Sequence, residues 1–450
     1  MALTTDLTEG KVSRVILNFS LPLLLSTVLQ QFYNIADSMI VGNFAGTASL
    51  AAVGAAYPIT LFFVAVATGA SMGGSVVVSQ LFGARRMGEL KQAIFTALLS
   101  FAVLGAVLAG AGALLSGTLM HLLNAQEEIF SAARAYLVIY AIGVFPMLVY
   151  NASTGIFTGL GDARLPLLLL CISSVLNVIL DYIAVRILHW GVAGAAWATT
   201  FSQLVAAVLA VLFIVRRLHA LFPNAGRARF SAGILRDIAV ASIPCILQQS
   251  SVALGHTIMQ GILNTYDTAI IAGYEAASKL HNFAYMGLNT VGTALATFTA
   301  QCYGAGKFRR IKEGYRVSLL ICLGCAVCVI ALFVLLPDQL VGLFLEDGAD
   351  PLAIEAGRNY LRLIGPLYSI IIVIIATGGL LRGVGRSTTF FIETVLEFVV
   401  RIVMCFVLTK ALNSYTGLFW AWYCGSSSGF LMCSALALHT FRTRLREPRT

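Results

Sequence analysis

Apolar runs recur along the entire chain, broken by short polar or glycine-bearing turns. Each run, wound as a helix, is long enough to cross a hydrocarbon layer of about 30 Å. They predict helices at 16–42, 52–80, 93–116, 134–158, 164–187 and 191–215 in the first half. The second half gives 238–263, 270–300, 315–337, 358–381, 388–410 and 415–440, making twelve in all. The breaks repeat with the runs. SLPLLLST from Ser20 lies over SIPCILQQ from Ser242, with Pro22 on Pro244. SQLFGARRMGELKQA from Ser79 lies over AQCYGAGKFRRIKEG from Ala300, and ASTGIFTGLGDAR from Ala152 over ATGGLLRGVGRST from Ala376. The offset stays between 221 and 224 residues, so the repeating unit is half the chain.

Six helices per repeat is an even number, which puts both halves into the membrane in the same orientation. The expected fold is therefore all-α and integral to the membrane, with two six-helix repeats about a pseudo-two-fold axis along the membrane normal. An N-lobe is expected over 1–215, a basic linker over 216–236 and a C-lobe with a basic tail over 237–450. Pro223, Asn224 and Gly226 break the linker. Such halves suit a transporter that rocks one against the other.

Composition agrees with this class. Only 11% of residues are charged, where a soluble chain carries about 25%. Basic residues are unevenly placed: 22 of the 29 fall before the first helix, in alternate turns, in the linker and in the tail. The opposite turns hold Arg134, Arg186, Arg358, Arg362 and Lys410, and the acids Glu346, Asp347 and Asp350. By the positive-inside rule both termini are expected in the cytoplasm of a multi-pass protein of the cell (inner) membrane. The net charge of +9 then reports topology and contact with anionic lipid, and no nucleic-acid partner is expected. The polar start MALTTDLTEGKVSR predicts no cleavable leader.

No G-x-S-x-G, P-loop or H-E-x-x-H motif occurs, so neither catalysis nor a cofactor is expected. Cys322, Cys325 and Cys328 fall inside the ninth helix with no histidine beside them, and read as packing residues. His256 and His281 likewise lack a partner at ligand spacing.

Besides the basic residues at their ends, the apolar runs hold seven charges in their interiors, where each costs about 2.5–3.5 kcal/mol or more near the bilayer centre. Glu275 and Lys279, spaced i,i+4, and Glu393, Glu397 and Arg401, spaced i,i+4,i+8, read as structural ion pairs. Asp37 has no basic residue within two turns, and Asp181 none nearer than Arg186, five residues on at the outer end of its run. Both lie about 8–9 Å below the outer ends of helices one and five, and Thr199 of helix six lies roughly 12 Å below the same surface. Asn177 is one turn from Asp181, and Ala195 one turn from Thr199. Two carboxylates in low dielectric cannot both ionise cheaply, so this cluster suits a shared proton; an all-oxygen cage would equally take Na⁺. Pro22 removes a hydrogen bond in helix one and is expected to kink it, either as a static bend or as a hinge that responds when the carboxylates are protonated. Gln30, Tyr33, Asn34 and Asn151 are candidates to line a substrate cavity, with packing hydrogen bonds as the alternative.

These segments resemble the multidrug and toxic compound extrusion (MATE) family. The resemblance rests on LPLLLSTVLQQFYNIADSMIVGNFAGTASLAAVG, SQLFGARR and the GLGDAR and RGVGR turns, and covers essentially the whole chain. It implies twelve helices in two lobes and export of amphipathic, often cationic, compounds driven by an H⁺ or Na⁺ gradient. It is nearest the DinF-like and related prokaryotic branches, which implies a coupling-cation site at Asp37, Asn177, Asp181, Ala195 and Thr199 with Pro22 as the bending point. The NorM-like branch places acids in helices seven and ten; here those helices hold none beyond the loop-adjacent Asp237.

The expectation is a monomeric, cation-coupled antiporter that acts by alternating access. The competing reading is a lipid-linked precursor flippase, which would want a cationic cavity for pyrophosphate where this chain offers acids. Position 37 maps to Met259 and position 181 to Cys405, so the coupling chemistry is expected in the first lobe alone.

Overall fold

A computed structural model describes residues 6–44, 47–221, 228–345 and 348–445. Pro223, Asn224, Gly226, Glu346, Asp347 and the last five residues of the tail lie outside the described residues. Twelve long helices run through the described residues. The first six are α1 (Val12–Phe44), α2 (Thr47–Gly83), α3 (Met87–Leu122), α4 (Glu127–Gly159), α5 (Arg164–Asp181) and α6 (Gly191–Leu221). The second six are α7 (Ala232–Leu263), α8 (Thr268–Gly304), α9 (Phe308–Leu335), α10 (Pro351–Gly383), α11 (Ser387–Leu412) and α12 (Thr416–Thr443). A short helix, Pro337–Gly342, lies between α9 and α10, and α5 continues into a π-helical turn, Tyr182–Ile187.

The helices outrun the apolar stretches that predicted them, because helical hydrogen bonding continues past the hydrocarbon boundary. Nine among the described residues are long and apolar enough to cross a membrane by length and composition alone. The three long helices that fall short are α8, α11 and α12, and α11 carries Glu393, Glu397 and Arg401. The outward faces are apolar, with Leu114 and Leu431 largely exposed, as a surface against lipid requires. The molecule is a multi-pass membrane protein.

Two compact units share the described residues: Leu21–Ile246 together with Asp6, and Leu7–Ser20 with the residues from Leu247 onward. In the first unit α4 packs on α2, α3 and α6; in the second, α10 packs on α8, α9 and α12. These are the same positions in the two repeats. Glycines set the spacing in both. A Cβ on Gly159 would lie 2.9 Å from the Ser75 carbonyl oxygen, and one on Gly383 would lie 2.7 Å from that of Ala296. Only a residue without a side chain allows backbones so close.

The turns repeat too. After α4, Gly161 takes φ +79° and Asp162 N–H donates back to the Phe157 carbonyl; after α10, Gly385 takes φ +77° and Arg386 N–H donates to the Leu381 carbonyl. The turn after α8 uses Gly306 at φ +69°, whereas its counterpart after α2 holds Arg85 at φ +57°. Arg85 occupies this left-handed region, which favours glycine, while its guanidinium pairs with Asp6.

Candidate functional site

Three helices of the first unit build the acidic cluster. On α1, Tyr33 and Asp37 stand one turn apart and share a face. α5 supplies Asn177 and, as its last α-helical residue, Asp181; α6 supplies Ala195 and Thr199. Asp181 is fully buried and Asn177 is 1% exposed, while Asp37 and Thr199 are half-buried. The α-to-π junction falls directly after Asp181, where Leu188 N–H reaches back five residues to the Ile183 carbonyl. Such a local widening of the helix is a frequent companion of functional sites.

The side chains form one connected group. With its amide oriented to satisfy both neighbours, Asn177 donates to Asp181 Oδ2 at 2.7 Å. Its amide oxygen then accepts from the Thr199 hydroxyl at 3.3 Å and the Thr199 N–H at 3.1 Å. The Tyr33 hydroxyl is hydrogen-bonded with Thr199, and the Asp37 and Asp181 carboxyls come within hydrogen-bonding reach of each other. Ionised carboxylates only accept, so two can be joined in this way only through a proton held between them. One oxygen of each acid, Asp37 Oδ1 and Asp181 Oδ1, is buried without a hydrogen-bond partner.

That donor set is all oxygen: two carboxyls, an amide carbonyl and a hydroxyl. It fits a proton or a hard monovalent cation such as Na⁺, which favours oxygen ligands. Among the described residues no cluster of three or more His, Cys, Asp or Glu could hold a metal ion, so nothing here favours a softer metal.

Tyr136 and Tyr140 of α4, one turn apart with ring centroids 5.9 Å from each other, lie close enough to feel the Asp37 charge. The sequence reading did not include them. Their i,i+4 spacing within the apolar part of α4 is the sign that the sequence offers.

Other candidates fall elsewhere. Asn151 donates its amide to the Met147 carbonyl of its own helix at 2.9 Å, and its carbonyl accepts from Ser71 at 2.7 Å. These bonds tie Asn151 to its own helix and to α2. Gln30 and Asn34 are exposed, and Asn34 donates to Gln31 at 3.1 Å. Pro22 lies inside a continuous α1, one turn before Ser26, whose hydroxyl donates to the Pro22 carbonyl at 2.9 Å.

The expected ion pairs form only in part. Glu275 and Lys279 do not pair; the Lys279 ammonium instead lies 5.8 Å from the centre of the Phe344 ring, a contact open to an exposed lysine near a helix end. On α11 Arg401 pairs with Glu397 alone. Glu393 is two turns from Arg401, about 12 Å along the axis, so the guanidinium cannot serve both acids.

The chain has relatives along nearly its whole length. The probable multidrug resistance protein YpnP of Bacillus subtilis is 26% identical over 447 residues, 97% of this chain and 96% of YpnP. An FAD transporter of Shewanella oneidensis is 25% identical, with 91% of this chain and 90% of that protein covered. Among solved structures, MATE in complex with MaL6 superposes with a TM-score of 0.88 at 21% identity, covering 98% of this chain and 99% of that one. An outward-facing multidrug resistance MATE transporter gives 0.85 at 23%, covering 97% and 99%. The MatE family profile matches twice, over residues 22–183 and 244–407, so each copy of the internal repeat is recognised separately. Two matched repeats, twelve helices and a fold shared with solved MATE proteins lead to one conclusion: this chain is a transporter and not an enzyme, and it belongs to the MatE family.

Proposed function

We propose that the protein is a secondary antiporter that exports amphipathic, chiefly cationic, organic compounds in exchange for H⁺ or Na⁺. The observation that carries this reading is the pair Asp37 and Asp181, held together in the first unit with one buried, unbonded oxygen on each. Asn177, Thr199 and the backbone beside Ala195 complete the coupling site. Relatives named as multidrug resistance or export proteins support the class of cargo. The acidic character of the pair favours cationic cargo over the anionic headgroup that a flippase would bind.

Binding of the coupling ion shifts the balance between outward- and inward-open states only as far as its affinity differs between them. The ion enters from outside and neutralises the pair. This removes the electrostatic hold on a cationic substrate and releases the restraint on α1, which bends at Pro22. Both termini are cytoplasmic, and the protein acts as a monomer.

Transport of several organic cations into or out of proteoliposomes, with pH and Na⁺ gradients imposed separately, tests the reading. Uptake or efflux should follow one of the two gradients and be abolished by Asp37→Asn and by Asp181→Asn in folded protein. Full transport by both variants would remove the pair from the mechanism.

A further inference from the structure

The second unit contains a cavity of about 100 Å³ between α7, α8, α10, α11 and α12. Its polar wall is one face of α11, bearing Glu393, Glu397 and Arg401. Arg401 pairs with Glu397, and its guanidinium carbon sits 3.8 Å from the centre of the Trp422 ring and 4.9 Å from that of Phe398, while its Nε is buried without a hydrogen-bond partner. Glu397 Oε1 also accepts from the Ser426 hydroxyl at 3.3 Å.

Glu393 has none of this support. It is 0% exposed, and neither carboxyl oxygen meets a partner in good hydrogen-bond geometry, although the Cys433 thiol and the Thr394 hydroxyl, which donates to the Phe390 carbonyl, lie beside it. The facing helix leaves room for it. A Cβ on Gly429 of α12 would lie 2.7 Å from Glu393 Oε1 and 3.2 Å from Glu397 Oε2. Both acids therefore converge on one bare stretch of backbone, with those two oxygens within about 6 Å of each other, close enough for like charges to interact strongly.

The charged groups around Glu393 do not pair with it. α11 offers Glu397 and Arg401, which neutralise one another. From α7 comes His256, and from α8 His281 and Tyr285. No ion pair joins either imidazole to a carboxylate among the described residues, and His281 Nδ1 is 3.1 Å from the Tyr368 hydroxyl. α12 presents the Cys433 thiol. From α10, Arg382 lies over Phe390, 5.5 Å from the ring centre, and its Nε donates to the Gly378 carbonyl. Of the two guanidiniums, Arg401 is paired with Glu397 and Arg382 is held over Phe390, so neither forms an ion pair with Glu393, whose remaining neighbours in the wall are apolar or neutral polar side chains such as Gln248, Thr394 and Ser426. An ionised carboxylate in such a place costs several kcal/mol unless something positive joins it.

We propose that the second lobe has its own cation-binding residue, Glu393, which holds one exchangeable proton directed toward Glu397 and independent of the Asp37–Asp181 pair. The residue lies on the repeat partner of α5 but not at the equivalent place. At an offset of 224 residues Asn177 falls on Arg401, whereas Glu393 is the seventh residue of α11 and Asp181 the last of α5. The two lobes thus carry acids near opposite ends of equivalent helices, which is why aligning position 181 with Cys405 hides the second one.

Infrared difference spectroscopy on the purified full-length protein tests the proposal without using transport. With glutamate labelled by carbon-13, the neutral-pH spectrum should contain a protonated carboxyl band that moves with the label and fades reversibly as the pH is raised into the alkaline range. E393Q should remove the band, whereas D37N, D181N and E275Q should leave it. Absence of any label-sensitive band, a band that survives E393Q, or one that does not respond to pH would each overturn the proposal. If E393Q fails to fold, the labelled wild-type protein still decides between presence and absence. Failure of the first-lobe site would appear separately, as loss of an aspartate-labelled band.

Discussion

Asn177 donates a 2.7 Å hydrogen bond to Asp181, one turn further along α5. The amide holds one carboxyl oxygen still and leaves the other buried and unbonded. A hydrogen bond to a charged group contributes about 1.5–3 kcal/mol. Asn177→Leu should therefore slow efflux by about tenfold or more, read as the initial rate in proteoliposomes at matched protein. An unchanged rate would reduce Asn177 to a packing residue.

Gly383 leaves space that no other residue could. A Cβ there would lie 2.5 Å from Thr299 Cβ and 2.7 Å from the Ala296 carbonyl oxygen. Forcing helices apart at such a contact costs about 1–3 kcal/mol. Gly383→Ala should lower the unfolding temperature in detergent by several degrees, and Gly159→Ala should do the same in the first repeat. Gly324→Ala, which meets nothing within 4 Å, is the control and should change little.

Arg217 and Asp162 form a largely buried pair at 2.8 Å, with side-chain exposures of 7% and 15%. Asp162 Oδ1 also accepts from the Arg164 and Leu165 N–H groups, tying the turn to the start of α5. Removing one member of a buried pair strands the other, at a cost of about 3 kcal/mol or more. Arg217→Met should destabilise more than Asp162→Asn, which keeps the Oδ1 acceptor. Thermal unfolding of the two variants, compared side by side, checks the order.

Glu275 has no ionic partner in Lys279, whose ammonium is drawn to Phe344. Glu275→Gln should leave transport within about twofold of wild type, since a half-exposed carboxylate near a helix end is cheaply solvated. A loss as complete as that of Asp181→Asn would make Glu275 a coupling carboxylate.

The helices and their duplication were legible because a membrane helix must satisfy its own backbone and hide it behind apolar side chains. That leaves long runs whose breaks can be aligned, as Gly161 with Gly385. The neighbourhood of Asp37, Asn177, Asp181 and Thr199 was legible from depth along each helix, since the rise per residue is fixed. Side-chain reach was not legible. The i,i+4,i+8 spacing places Glu393, Glu397 and Arg401 on one face, but says nothing of Trp422 and Phe398, which hold the guanidinium at one end of the row. Nor could spacing show that α5 widens into a π turn directly after Asp181, or that Tyr136 and Tyr140 come from α4 to stand near Asp37.

The division of the chain into units has a mechanical consequence. Beyond the short N-terminal segment, the polypeptide passes from one unit to the other at two places only, between residues 20 and 21 and between residues 246 and 247. Both lie inside helices, α1 and α7, and neither lies in the linker between the repeats. At each place the chain crosses as a continuous helix, a stiff shaft with no loop in it. Each shaft contains a proline within two or three residues of the crossing, Pro22 and Pro244, where a missing N–H leaves one rung of the helix open. The duplication has thereby left the same open rung in both helices that carry the chain from one unit to the other.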